Sequence, residues 1–229
     1  MKKLAILLAL TFISALTFAQ CNGRYQTEIF SSVTVTEVNY SDVYTDNEHI
    51  MDVYSADGDT EVNRPVIIYM HGGSFIGGDK SESDCIDFCE NFAKKGYITA
   101  SANYRLANNA QNFALFQEEQ YTTVLKVVAD IKAAIRYFRK SIVNGNPYGI
   151  DGSAIFIGGY SAGAVAAIHS AYIDSISDLP ISITYLDILT GQTVDFNPQV
   201  LINTIGGNLE GDAGNYGFSS EVSGVVSFA

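Results

Sequence analysis

Two glycine-bearing segments hold the side chains best suited to covalent chemistry, Gly159-Tyr160-Ser161-Ala162-Gly163 and His71-Gly72-Gly73-Ser74-Phe75. The first is a G-x-S-x-G string between a short apolar run, Ala154 to Gly158, and a helical pattern that begins at Ser161. There the glycines permit a very tight strand-to-helix turn that lifts the Ser161 hydroxyl clear of the backbone. The same turn sets Ser161 at a helix N-terminus, where the Ala162 N–H and the helix dipole can stabilise a developing oxyanion. A glycine-rich packing turn is the bland alternative, and the strand–turn–helix setting weighs against it. The second segment directly follows the apolar run Pro65 to Met70. Its glycines let two backbone N–H groups point at a substrate carbonyl oxygen.

Positioning these segments requires strands that end beside each other. Pro65 to Met70 and Ala154 to Gly158 are continuous apolar runs, the mark of strands buried on both faces. Ser32 to Tyr40 alternates β-branched and polar residues, and His49 to Tyr54 follows it; both predict strands of an antiparallel edge. Ser81 to Lys95 reads as a helix with Ser81 as N-cap, Glu82 and Asp84 in the first turn, and Gly96 just past the end. Tyr97 to Asn103 is the next strand. Glu118 to Ile142 is a long amphipathic helix, with Val124, Val127, Val128, Ile131, Ala134, Ile135 and Phe138 at helical spacing. A helix runs from Ser161 to about Ser175, and Glu221 to Ala229 is a last strand. Between them, Ile176 to Ser220 loosens into Gly, Asn and Asp and reads as an insertion or lid over one end of the sheet. Strands alternating with helices predict an α/β fold, a mostly parallel central sheet with helices on both faces.

With those segments placed, the chain resembles the α/β-hydrolase superfamily, specifically carboxylesterases and lipases of the H-G-G-x type. Four segments carry the resemblance: Met51-Asp52-Val53-Tyr54, His71 to Phe75, Asn103-Tyr104-Arg105-Leu106, and Gly149-Ile150-Asp151 leading into Gly159 to Gly163. It covers roughly Val33 to Ala229. The resemblance implies that Ser161 is the nucleophile, and that the N–H groups of Gly73, Ser74 and Ala162 form the oxyanion hole. His71, Gly72, Gly159 and Gly163 would support the two loops. Ser74 stands where that family often has a third glycine. In similar hydrolases an arginine and an aspartate placed like Arg105 and Asp130 pair between strand and helix, and the same pairing is expected here. Asp151 is read as shaping the loop before the elbow strand. Tyr160 either packs beside the nucleophile or lines the pocket.

A serine nucleophile needs a base within hydrogen-bond reach and an acid to orient that base. In this fold the chain order is Ser, then Asp or Glu, then His. Carboxylates after Ser161 are plentiful, but His169 is the one later histidine. It lies about 12 Å along the elbow helix, at ~1.5 Å per residue, too far to serve. His49 and His71 precede the nucleophile, and His71 is read as bracing the oxyanion loop. None of the three fits the base position. The expectation is therefore a serine carboxylic-ester hydrolase whose triad acid and histidine lie beyond residue 229, inactive as this stretch alone. The alternative is a non-catalytic binding module of the same fold.

The remaining features bound the setting. The 229 residues carry 13 Lys and Arg against 25 Asp and Glu, a formal charge of −12. That balance excludes a nucleic-acid binder, which needs a basic footprint for phosphates. Residues 1–19, with Lys2-Lys3, an uncharged run from Leu4 to Phe18 and then Ala19, read as a signal peptide. The run is shorter than a bilayer span, so export is expected rather than a stable membrane anchor. Gln20 argues against lipid attachment at Cys21. Cys85 and Cys89, four apart on a predicted helix, either bridge or are small buried hydrophobes. No metal-ligand spacing and no cofactor motif appears, and the expected substrate is a small-molecule or lipid-like ester.

Overall fold

Apolar runs that do not alternate become the buried middle of the sheet. The computed structural model describes residues 22–228; residues 1–19, read as the export signal, and Cys21 lie outside them. In chain order the elements are β1 (Val33–Asn39), β2 (Ile50–Ala56), β3 (Arg64–Met70), α1 (Ser83–Ala93), β4 (Ile98–Ala102), α2 (Ala110–Leu115) and α3 (Gln117–Val143). Then follow β5 (Ile150–Tyr160), α4 (Ala162–Tyr172), β6 (Ile183–Asp187), β7 (Gln192–Phe196) and β8 (Gly224–Phe228). Six strands form one sheet in the order β1-β2-β4-β3-β5-β8, and β6 and β7 form a separate hairpin. β1 and β2 are antiparallel, as their alternation predicts, while β4, β3, β5 and β8 run parallel. This is the α/β-hydrolase architecture.

The crossovers cover the parallel strands. Val66, Ile68 and Met70 of β3 and Ile155 and Ile157 of β5 are fully buried against Val127, Ile131, Ile135 and Phe138 of α3 and Ala166 and Ala167 of α4. On the opposite face Cys85, Cys89 and Ala93 of α1 pack on Tyr54 and Tyr69. Both cysteines are free thiols, the small-hydrophobe reading, and burial pushes the Cys85 thiol up to about 12.

Two helix boundaries differ from the sequence pattern. Ser81 does not cap α1, which starts at Ser83 after Glu82. Asp79 accepts hydrogen bonds from both the N–H and the hydroxyl of Ser81, a local turn that competes with helix capping. Gly96 does stand past the helix end, at φ +97°. At the other boundary, α4 stops at Tyr172, and Ser175 then caps a 3-10 turn, Ile176–Asp178, its own N–H donating to Asp178 Oδ2 at 2.8 Å.

The stretch from 176 to 220 is more ordered than its composition suggests. It contains the β6–β7 hairpin and a 3-10 stretch, Pro198–Ile205. Its apolar side chains Leu179, Leu201, Ile202, Ile205 and Leu209 pack against Leu125 and Ala129 of α3. Buried Arg136 of α3 secures the following residues, donating to the Gly214 carbonyl at 2.9 and 2.7 Å and to the Glu210 carbonyl at 2.9 Å. Ile205 is fully buried in that cluster. Its truncation to alanine should cost about 2–5 kcal/mol, read as a shift in the urea unfolding midpoint.

Candidate active site

Parallel pairing brings the two glycine-rich turns together. Met70, the last residue of β3, pairs with Gly159 of β5, and Tyr160 pairs with Phe228 of β8. The carboxyl ends of three adjacent strands are therefore level, the edge where open α/β sheets bind ligands. His71 to Phe75 leaves β3 at that edge, and Ser161 leaves β5 beside it. A Cβ built on Gly72 would lie 3.5 Å from the Ser161 Cβ.

The elbow is a close crossing that side chains would block. A Cβ on Gly163 would stand 2.1 Å from the Met70 carbonyl oxygen and 2.7 Å from that of His71. On Gly159 it would meet the Gly163 carbonyl carbon at 2.5 Å and the Met70 oxygen at 2.7 Å. Ser161 itself sits at φ 53°, ψ −116°, a region that costs a non-glycine residue of order 1–3 kcal/mol. The Ser161 N–H donates to the Phe228 carbonyl at 2.9 Å, which helps hold the strained turn. Its side chain does not cap α4, and Ser161 is exposed. The hydroxyl is thus presented at the N-terminus of α4, where Ala162 is buried and the first N–H groups have no intrahelical acceptor.

The neighbouring loop is also held in a left-handed course. Gly73, Ser74 and Phe75 have φ of 107°, 56° and 61°. Gly73 could not be replaced easily, because its Cβ would lie 2.0 Å from the Gly77 oxygen. Ser74, in a position that favours glycine, adopts the required backbone nonetheless. The N–H groups of Gly73, Ser74 and Ala162 have no backbone acceptor among the described residues. A cleft of about 480 Å³ opens here, lined in part by Gly72, Gly73, Ile76, Glu82, Asp84 and Tyr160. Tyr160 is half exposed and lines this pocket, one of the two readings of its position. Nothing from 176 to 220 contributes to that lining.

Among the described residues no histidine hydrogen-bonds to Ser161. His71 is buried and its Nδ1 lies 2.6 Å from the Gly72 carbonyl oxygen, so it braces the loop. Burial is the main cause that pulls the His71 pKa below its ordinary value. His169 lies on α4 with its Nδ1 2.8 Å from the Val165 carbonyl. His49 is buried between Asp46 and Asp130. The expected Arg105–Asp130 pair is present, with Arg105 Nε 2.9 and 3.0 Å from the two carboxylate oxygens. Asp151 lies inside β5 rather than in a loop before it, and accepts from the Ser153 N–H and hydroxyl at 2.8 and 2.7 Å. No group of three or more His, Cys, Asp and Glu among the described residues could hold a metal ion, and no helix among them could cross a membrane.

Sequence reasoning missed Tyr104 as a support. Its hydroxyl donates to the His71 carbonyl at 2.6 Å, and its ring stacks on the His71 imidazole with centroids 4.2 Å apart. Tyr104 stands in the Asn103–Leu106 segment that carries the resemblance, but spacing alone does not connect it to His71.

With this geometry the family assignment follows from the match itself. The BD-FAE family model matches residues 51–206, more than half of the chain. The chain belongs to the BD-FAE family. The matched span includes both turns, so the family signature and the site coincide. The chain is 33% identical over 104 residues to Gut esterase 1 of Caenorhabditis elegans, covering 44% of this chain and 17% of that protein. Among solved structures, it is similar to a bifunctional GH43-CE protein of Bacteroides eggerthii (TM-score 0.55, 25% identity, 86% of this chain and 20% of that one). A truncated carbohydrate esterase from gut microbiota shares the fold (TM-score 0.55, 23% identity, 89% of this chain and 57% of that one). The chain thus spans less than two thirds of the length of each of these relatives.

The crossing of the elbow over β3 makes a direct prediction for this BD-FAE chain. Gly163→Ala should lower the melting temperature sharply, because the methyl collides with backbone rather than with a movable side chain. Gly77→Ala, with nothing within 4 Å of the added carbon, should leave it nearly unchanged; thermal unfolding of both variants checks the contrast.

Proposed function

We propose that the protein is a serine carboxylic-ester hydrolase that works through an acyl-enzyme on Ser161. The observation that carries this reading is the strained Ser161 backbone, at φ 53° and ψ −116°, with an exposed hydroxyl at the head of α4. Backbone strain of this kind persists where the surroundings over-determine it, and it concentrates at sites of chemistry. In the proposed reaction the Ser161 oxygen attacks the ester carbonyl, and the oxyanion accepts hydrogen bonds from the N–H groups of Gly73, Ser74 and Ala162. The alcohol leaves, and water then releases the acid. We place the base and its orienting carboxylate outside the described residues; among those residues none of His49, His71 and His169 hydrogen-bonds to Ser161.

Membership of the BD-FAE family and the likeness to proteins named as esterases support ester hydrolysis as the activity. Among small esters, acylated sugars are the first to assay, since one structural neighbour is a carbohydrate esterase. Residues 1–19 carry the pattern of an export signal, and we place the mature protein outside the cytoplasm on that ground.

Fluorophosphonate labelling of the full-length gene product, followed by peptide mass spectrometry, tests the assignment. The adduct is expected on Ser161 and should be lost in Ser161→Ala; undiminished labelling of that variant would overturn the role. A fully wild-type-like fold with no labelling and no ester turnover would instead support the non-catalytic binding module.

A further inference from the structure

His49 occupies a position that an ordinary buried histidine does not. It is 1% exposed, and each ring nitrogen faces a carboxylate. Nδ1 lies 2.6 Å from Asp46 Oδ1, and Nε2 lies 3.2 Å from Asp130 Oδ1. An ionised carboxylate only accepts hydrogen bonds. A neutral imidazole has one donor, so either tautomer would turn a nitrogen lone pair toward a carboxylate oxygen. Only the doubly protonated ring satisfies both contacts.

The charges around it reinforce that conclusion. On its own turn stand Asp46 and Glu48; α3 contributes Asp130, which is fully buried. Arg105, from the segment after β4, pairs with Asp130 and also reaches Asp212 Oδ1 at 2.7 Å. Tyr44 stacks on the His49 ring with centroids 4.5 Å apart and donates to Asp212 Oδ2 at 2.8 Å. Tyr40 lies on another side, its ring centroid 5.8 Å away. Three carboxylates in contact, Asp46, Asp130 and Asp212, thus face two cations, Arg105 and the His49 imidazolium. Loss of the His49 proton leaves one cation for all three, two of which are partly or wholly out of water, where unpaired charge is costly.

The cluster joins parts of the chain that are far apart in sequence. Asp46 and Tyr44 belong to the loop between β1 and β2, Asp130 to α3, Arg105 to the loop after β4, and Asp212 to the segment that packs on α3. Arg105 is also the immediate neighbour of Tyr104, whose hydroxyl holds the His71 carbonyl.

We propose that His49 is a proton-operated clasp: protonated, it locks the 40–49 loop and the 206–216 segment onto α3, and deprotonated, it releases them. The surrounding carboxylates raise its pKa above the ordinary histidine value, although burial opposes them. A histidine with a raised folded-state pKa stabilises the fold fully below its unfolded pKa. That contribution is lost as pH rises through the folded pKa. The clasp therefore closes at acidic to neutral pH and opens on the alkaline side.

The test needs no catalytic activity and stands apart from the role of Ser161. Urea unfolding of wild type and His49→Gln is followed from about pH 6 to about pH 9, with amide hydrogen exchange on both. Wild type should lose stability relative to His49→Gln across that range, by about tenfold in the folded-to-unfolded ratio per unit of pKa elevation. Exchange corrected for intrinsic rates should rise with pH in 40–49 and 206–216 of wild type and not in the parallel strands. Where His49→Gln fails to fold, Asp46→Asn, which alters the exposed partner, should move the wild-type transition to lower pH. Equal pH slopes for wild type and variant would overturn the proposal. So would an NMR titration placing the His49 pKa at or below the ordinary value, or exchange in the two segments that does not follow it.

Discussion

The close crossing of the elbow over the end of β3 is the constraint on which the site depends. Gly159 and Gly163 press against the Met70 and His71 carbonyls at distances that no Cβ would allow. That contact fixes where Ser161 emerges relative to the His71–Phe75 loop, because β3 and β5 are neighbours in register. Here the placement comes from backbone packed on backbone, which has few ways to relax. Tyr104 and His71 then hold the far side of the same loop, through a hydrogen bond and a ring stack.

Around this crossing the fold divides its labour. The parallel strands and α3, α4 and α1 bury the apolar runs and hold the sheet rigid. The polar groups that this burial would strand are gathered into a few dense clusters. Arg136 with Glu210 and Gly214, and Arg105 with Asp130, Asp212 and His49, tie the 206–216 segment to the core. Pairs with one member buried, as Asp130 and Arg136 are, add little net stability over an apolar core, but removing the partner of the buried charge is costly. They therefore specify which segment docks where, more than how strongly the whole chain folds.

Much of this was legible from residue types alone. The runs Pro65–Met70 and Ala154–Gly158, the α3 stripe from Val124 to Phe138 and the two glycine motifs all pointed to one architecture, because burial on both faces leaves a simple apolar signature. Boundaries were less legible. Ser81 looks like a cap, yet Asp79 takes its hydroxyl, and the choice between those two local bonds is decided by geometry that composition does not record. The stretch from 176 to 220 reads as irregular because its order rests on a few apolar anchors, Leu179, Leu201, Ile202 and Ile205, docking on α3 rather than on its own periodicity.

The amino-acid sequence by itself determined the fold class and the identity of the residues at the two turns. Those features depend on local spacing and on burial pattern, which are written along the chain. Only the tertiary structure decided that Ser161 carries backbone strain, that Tyr104 reaches His71, and that His49 stands between two carboxylates. Asp46 and Asp130 are 84 positions apart, and they meet at one imidazole because strand order in the sheet, not proximity in sequence, sets which side chains share a low-dielectric interior.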